Sequence, residues 1–366
     1  MQHKVATPFY DETILFEATV DGYAQYRIPG IVVTGNGTVI TYTEARKRTS
    51  DWAIIDVYMR RSMDGGSTWE SRVLLVDGVS TGNTINNPVM IAEKNSGTVH
   101  FLYCKEYNQA YYMKSTDHGT TWTSPVDITP VFDAYKSEYA WTVIATGPGH
   151  GIQLYNGRMV VPVWLSLHTS HAPAVVSTIY SDDGGATWHR GDIIWDTPAI
   201  PSPNETTAVQ LVDGTVMLNM RNDADTCMRS VATSSNGCSD WSAPALVSDL
   251  TDPKVCGSLL RFTEQSEYDT NRLLFSNVNN PRDRSNVSVK MSVDEGKSWT
   301  YSKVIAPGGS AYSDLAVSPD KRTIYCYYEK WNGDLKYHFM VIARFNLEWL
   351  TNGEQSLDPL AGSAPS

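Results

Sequence analysis

Short runs of alternating or wholly apolar residues recur along the whole chain, separated by clusters of Gly, Asp, Asn, Ser and Thr. Runs of about four to eight residues, rich in β-branched and aromatic side chains, predict strands. They pair around turns at residues 31–42, 89–103, 152–164, 208–220, 258–276 and 315–328. Gly35-Asn36-Gly37, Asn156-Gly157 and Asp213-Gly214 sit where a hairpin needs residues that tolerate φ > 0. A third apolar run follows each of the first five pairs, at 56–61, 110–114, 175–180, 228–233 and 287–291. No stretch carries a helical period.

Each third run ends in one short pattern. The copies are Ser62-Met63-Asp64-Gly65-Gly66-Ser67-Thr68-Trp69, then Ser115 to Trp122, Ser181 to Trp188 and Ser292 to Trp299, with an eroded copy from Ser234 through Asn236 to Trp241. Successive copies start 53, 66, 53 and 58 residues apart. The chemistry is that of a turn: Asp accepts from nearby backbone N–H groups, Gly allows φ > 0, and Trp anchors the turn on a core. A period of this size marks a repeat architecture. Two strands, a third, the capped turn and a fourth make a four-stranded sheet. Six such units in 366 residues is about 61 residues each. The prediction is an all-β fold, a six-bladed β-propeller of four-stranded antiparallel blades, which closes radially. The sixth unit lacks the turn, so the run 337–345 should complete its blade with strands from the N-terminus. Residues 1–350 are expected to form one domain, and 351–366, small and polar, a flexible tail.

Composition narrows the function. Forty acidic against 29 basic residues leave a net charge of −11, which disfavours nucleic acid or an anionic membrane as partner. No run of eighteen apolar residues predicts a membrane span. Cys104, Cys227, Cys238, Cys256 and Cys326 are odd in number and have no zinc-like spacing, so buried thiols with at most one or two disulfides are expected. Residues 1–11 are too polar for a signal peptide.

A few polar residues are left unexplained by the repeat, and they share its phase. Arg27, Glu205 and Tyr312 precede the first strands of blades one, four and six. In a propeller that strand lines the central channel, so the three residues ring one mouth of it, where loops meet a rigid scaffold. Arg221 closes an apolar strand, and Arg284 opens the third strand of blade five. An Arg beside buried strands needs a partner for its charge. Three of them converging would hold a planar anion, most naturally a carboxylate, through bidentate bonds that Lys cannot copy.

The Tyr26-Arg27-Ile28-Pro29 start, the Ser-x-Asp-x-Gly-x-Thr-Trp repeats and the six-fold period resemble bacterial-type sialidases, exo-acting glycoside hydrolases, over nearly the whole chain. The resemblance implies that Arg27, Arg221 and Arg284 hold a sialic acid carboxylate. It implies Tyr312 as nucleophile, Glu205 as its base and Asp51 as general acid/base. Glu329 would orient Arg27, and Arg46 would touch a sugar hydroxyl. Trp52 and Ala53 depart from the small residues usual after the acid, which bears on pocket shape. Trp52, Met90 and Trp141 are candidates for its walls.

The chemistry suits such residues. An anomeric carbon that bears a carboxylate repels a second carboxylate, so a neutral phenol serves as nucleophile, the exception to the usual two-carboxylate scheme. Tyr needs a base at the moment of attack, and cations favour the developing phenolate. An acid at Asp51 should have a raised pKa. The implied partner is a sialylated glycan, with no cofactor, no metal, no nucleic acid and no membrane. A monomer is expected, secreted or periplasmic. A hydrolase for deaminated neuraminic acid or a Kdo-type sugar, a trans-sialidase, and a non-catalytic carbohydrate-binding propeller remain alternatives. The last would need the Arg residues but not Tyr312, Glu205 and Asp51 together.

Overall fold

The computed structural model describes residues 6–357. Six antiparallel blades follow one another along the chain. Blade one is Gln25–Val33, Val39–Arg46, Ile55–Ser62 and Val73–Val76. Blade two runs from Ile85–Ala92 to Val126–Asp127, and blade four from Thr206–Gln210 to Ala245–Thr251. Tyr301–Val317 is a single 17-residue strand that serves two blades. Its first part pairs with Ser285–Ser292 as the outer edge of blade five, and its second part pairs with Ile324–Asn332 as the inner edge of blade six. Blade six is closed by Tyr10–Glu17, which pairs antiparallel with Leu335–Phe345. The six-bladed, four-stranded prediction holds, including the N-terminal strand in the last blade.

Blade three departs from expectation. Its inner strand is split into Val143–Thr146 and Ile152–Gln153, both paired with Met159–Ser166. Gly147-Pro148-Gly149 breaks the run, because both glycines take positive φ and Pro has no N–H for a ladder. Gly149–His150 crosses over to pair with Val89 and Met90 of blade two.

The repeated turns form as read. Thr68 N and Oγ1 donate to the two oxygens of Asp64 at 2.8 and 2.6 Å, and Gly66 N donates to Ser62 Oγ at 2.7 Å. In the eroded copy Asn236 takes the place of the Asp, accepting from Cys238 N and Ser239 N. The Trp rings pack into apolar clusters of the blades, as Trp122 does beside Val32, Tyr42 and Phe101. These turns follow the third strand of a blade, whereas the residues outside the repeat stand where first strands begin, where second strands end or, for Arg284, where a third strand begins. Because successive strands run antiparallel, the turns lie at the face of the propeller opposite the candidate site.

All five cysteines are free thiols. The expected tail is anchored through Leu357: Gln355 accepts from Arg272 Nε at 2.8 Å and donates to Tyr301 at 3.1 Å, and Leu357 packs on the core of blades five and six. Residues 358–366 lie outside the described residues.

Candidate active site

Bulges in the inner strands build the site. The register of blade one shifts between Arg27 and Gly30, that of blade two between Asn86 and Val89, and that of blade six between Ser310 and Ser313. A bulge re-aims side chains and strands a backbone N–H. Two buried glutamates take up the stranded groups. Glu329 accepts from Ile28 N at 2.9 Å and Tyr312 N at 3.1 Å, and from Arg27 Nε at 2.6 Å. Glu44 accepts from Asn87 N at 2.8 Å and pairs with Arg46 at 2.6 Å. Ile28 sits at φ 61, a conformation costly for a β-branched residue and characteristic of sites under constraint.

The structure brings the sequence-predicted residues together. Glu205 and Arg221 face each other across blade four, with Arg221 N donating to Glu205 O at 3.0 Å. Their side chains pair at 2.6 Å. The Tyr312 hydroxyl lies 2.7 and 2.6 Å from the two Glu205 oxygens and 2.9 Å from Arg221 Nη1. Arg27 and Arg284 each hold their Cζ 5.3 Å from the Tyr312 ring centroid. Asp51 stands on the blade-one loop, bound to Arg46 Nη1 at 2.6 Å, with its side chain 54% exposed. Arg46 is buried between Glu44 and Asp51, so it reaches the site by holding Asp51.

Burial pushes the Tyr312 phenol well above its usual pKa, and the Glu205 charge adds to that. Arg221, Arg284 and Arg27 pull it back. The proton therefore stays on oxygen at rest, in contact with a base. Asp51 corrects an expectation: burial raises its pKa, but the charge and hydrogen bond of Arg46 outweigh burial and hold it below the usual carboxylate range. Its environment is an ion pair, not the apolar pocket that a raised value requires.

The channel under Tyr312 is also filled. Asp314, two residues from Tyr312 on the same strand, accepts from His150 Nδ1 at 2.7 Å, Ser258 Oγ at 2.7 Å and Ile31 N at 2.9 Å. One carboxylate thus ties blade six to blades three, five and one. Burial lowers the pKa of His150, but Asp314 more than offsets this and raises it above 6.5. A raised folded pKa gives stability that is complete below the unfolded value and is lost as pH rises through the folded one. Urea midpoints are therefore expected to fall between pH 6 and pH 9, and His150→Gln should flatten that slope. An unchanged slope in the variant would remove His150 as its source.

The BNR repeat-like domain family matches residues 42–326. The chain belongs to the BNR-repeat sialidase family. It is 30% identical over 374 residues to a sialidase of Micromonospora viridifaciens, across 94% of this chain and 55% of that protein. A sialidase of Bacteroides fragilis is 27% identical, across 84% of this chain and 60% of the relative. The chain thus spans little more than half the length of these curated relatives. Among solved structures, the Hadza microbial sialidase Hz136 superposes with a TM-score of 0.78 at 24% identity, over 91% of this chain and 68% of that one.

Tyr337 joins this cluster, and the sequence reading missed it. Its ring centroid lies 3.9 Å from Arg27 Cζ, and its hydroxyl accepts from Arg284 Nη1 at 3.2 Å. Nothing local marks it among twenty tyrosines. Met90 and Trp141 are not pocket walls. Met90 is fully buried in the core of blades one and two, and Trp141 packs among Ile128 and Phe132 at the back of blades two and three. Trp52 does stand at the rim, 38% exposed, with its ring 4.7 Å from Tyr107 and 5.9 Å from His171.

Proposed function

We propose that this propeller is a retaining exo-α-sialidase. The observation that carries the reading is Tyr312, a buried phenol in contact with both oxygens of Glu205 and with Arg221, inside a cage completed by Arg27 and Arg284. Three guanidinium groups around a neutral nucleophile suit a substrate whose reacting carbon carries a carboxylate. Neither Arg221 nor Arg284 is fully neutralised by a private carboxylate. Arg221 shares Glu205 with Tyr312, and among the described residues Arg284 donates only to a phenol and to Lys254 O at 3.0 Å.

The steps follow from these positions. Tyr312 Oη attacks the anomeric carbon as its proton passes to Glu205. The bond from that carbon to the aglycone oxygen breaks, its electron pair stays on oxygen, and the oxygen takes a proton from Asp51. Water then attacks the same carbon and gives a proton to Asp51. The bond to Tyr312 breaks, and the phenolate recovers its proton from Glu205. Two displacements retain configuration. Arg46 holds Asp51 ionised at rest, so Asp51 must take up a proton before each departure. Turnover of a substrate with a basic leaving group should therefore fall as pH rises.

Release of 4-methylumbelliferone from its sialoside, against the deaminated analogue, tests the activity and the choice of sugar. Calorimetry with dehydrated sialic acid and its methyl ester tests the cage. The acid should bind well and the ester weakly, and equal binding would remove the reason to place a carboxylate there.

Asp51→Ala is expected to cost about 10²–10⁴-fold on sialyl-lactose and little on the aryl sialoside, whose leaving group needs no proton. Equal losses on both substrates would give Asp51 another role.

A further inference from the structure

A cleft of about 410 Å³ opens between the loops of blades five and six, and the chemistry above does not use it. Arg282, Asp283, Arg284, Trp331, Lys336 and Tyr337 line it. Arg284 and Tyr337 also belong to the cage, so the two spaces share a wall.

Charge distinguishes this cleft. Three cationic side chains meet one carboxylate there, in a chain of net charge −11. Arg282 and Lys336 are exposed, and among the described residues neither forms an ion pair. Other arginines of the outer surface, Arg158, Arg190 and Arg344, each hold a carboxylate. Lys336 Nζ lies 5.1 Å from the Trp331 ring centroid, and the buried Trp331 Nε1 has no partner. Cations without a carboxylate, set beside aromatic rings, suit a negatively charged sugar group: the cations take its charge and the rings border it.

We propose that this cleft is a second anion subsite, which takes a negatively charged group on the sugar next to the one being removed. The shared chemistry is a carboxylate or sulfate on a pyranose, supplied either by a penultimate sialic acid or by a sulfate ester. The proposal rests on the sialidase reading and extends it to substrate choice. Exposed cations speed encounter and favour the matching charge, adding a modest affinity that salt screens.

Calorimetry on Tyr312→Phe protein reads the subsite without turnover. The ligands are sialyl-lactose, α2,8-disialyl-lactose and a sulfated sialyl-lactose. At low salt at least one dianionic glycan should bind about tenfold tighter than sialyl-lactose, the scale of two exposed charge pairs. The advantage should shrink in 0.5 M salt and vanish when Arg282→Ala and Lys336→Ala are added. A gain confined to the disialyl ligand assigns a carboxylate subsite, and one confined to the sulfated ligand a sulfate subsite. Equal affinity for all three, or an advantage that survives the double substitution, overturns the proposal. Hydrolysis of the methylumbelliferyl sialoside by the parent reports separately on the activity itself. The Arg282/Lys336 variant should keep that rate.

Discussion

Tyr312→Phe is expected to leave a folded protein that has lost about 10³-fold or more of its turnover. The substitution removes only the hydroxyl, and Glu205 and Arg221 keep their 2.6 Å pair without it. The phenyl ring still fills its place between Arg27 and Arg284. Melting temperature and circular dichroism should match the parent, and the cage should still bind the dehydrated analogue. A residual rate is expected, because positioning and charge stabilisation persist when a nucleophile is removed. Activity within about threefold of the parent would end the nucleophile assignment.

Removing the Glu329 carboxylate should have the largest effect on the fold. Its side chain is 0% exposed and serves Arg27, Ile28 N and Tyr312 N at once. Glu329→Ala leaves a buried guanidinium without its partner and two bulge N–H groups without an acceptor. Breaking a buried ion pair from one side costs about 3–5 kcal/mol, and each orphaned donor adds to that. A second protein, Arg27→Met with Glu329→Leu, should recover part of this stability, since both charges are gone. It should recover no binding of the carboxylate ligand, because one arm of the cage is missing. Thermal melts and calorimetry on the two proteins separate the structural role from the binding role. If Glu329→Ala melted with the parent, Glu329 would not brace the mouth.

The turn patterns made the blade count legible, because Asp64, Asp117, Asp183 and Asp294 each do the same local work whatever surrounds them. Arg27, Glu205 and Tyr312 stood out because they share one phase of a repeat whose other positions are apolar. Tyr337 did not stand out. It lies near the start of the strand Leu335–Phe345 and works through its ring face and hydroxyl, and no spacing encodes that. The resting state of Asp51 was misread for a related reason. The pairing of Asp51 with Arg46 depends on how the loop folds back on the strand end, which residue spacing does not state. The break at Gly147-Pro148-Gly149 went unread, although Gly and Pro are the residues that interrupt a strand. Its consequence, His150 crossing the channel to Asp314, depends on where blades three and six meet.

The pairing of Tyr10–Glu17 with Leu335–Phe345 joins segments more than three hundred residues apart. On a ribosome the first strand emerges long before its partner exists, and it presents an unpaired edge until blade six is complete. Closing so long a loop adds little entropy beyond that of a moderately long one, because the cost grows only with the logarithm of length. The delay is thus kinetic more than energetic, and it ties the last blade to high contact order. A circular permutant that joins the outer strands of blade six by a short hairpin, and opens the chain in an exposed loop between other blades, would turn the most distant pairing into a local one. It should refold faster than the parent while keeping every residue of the mouth in place.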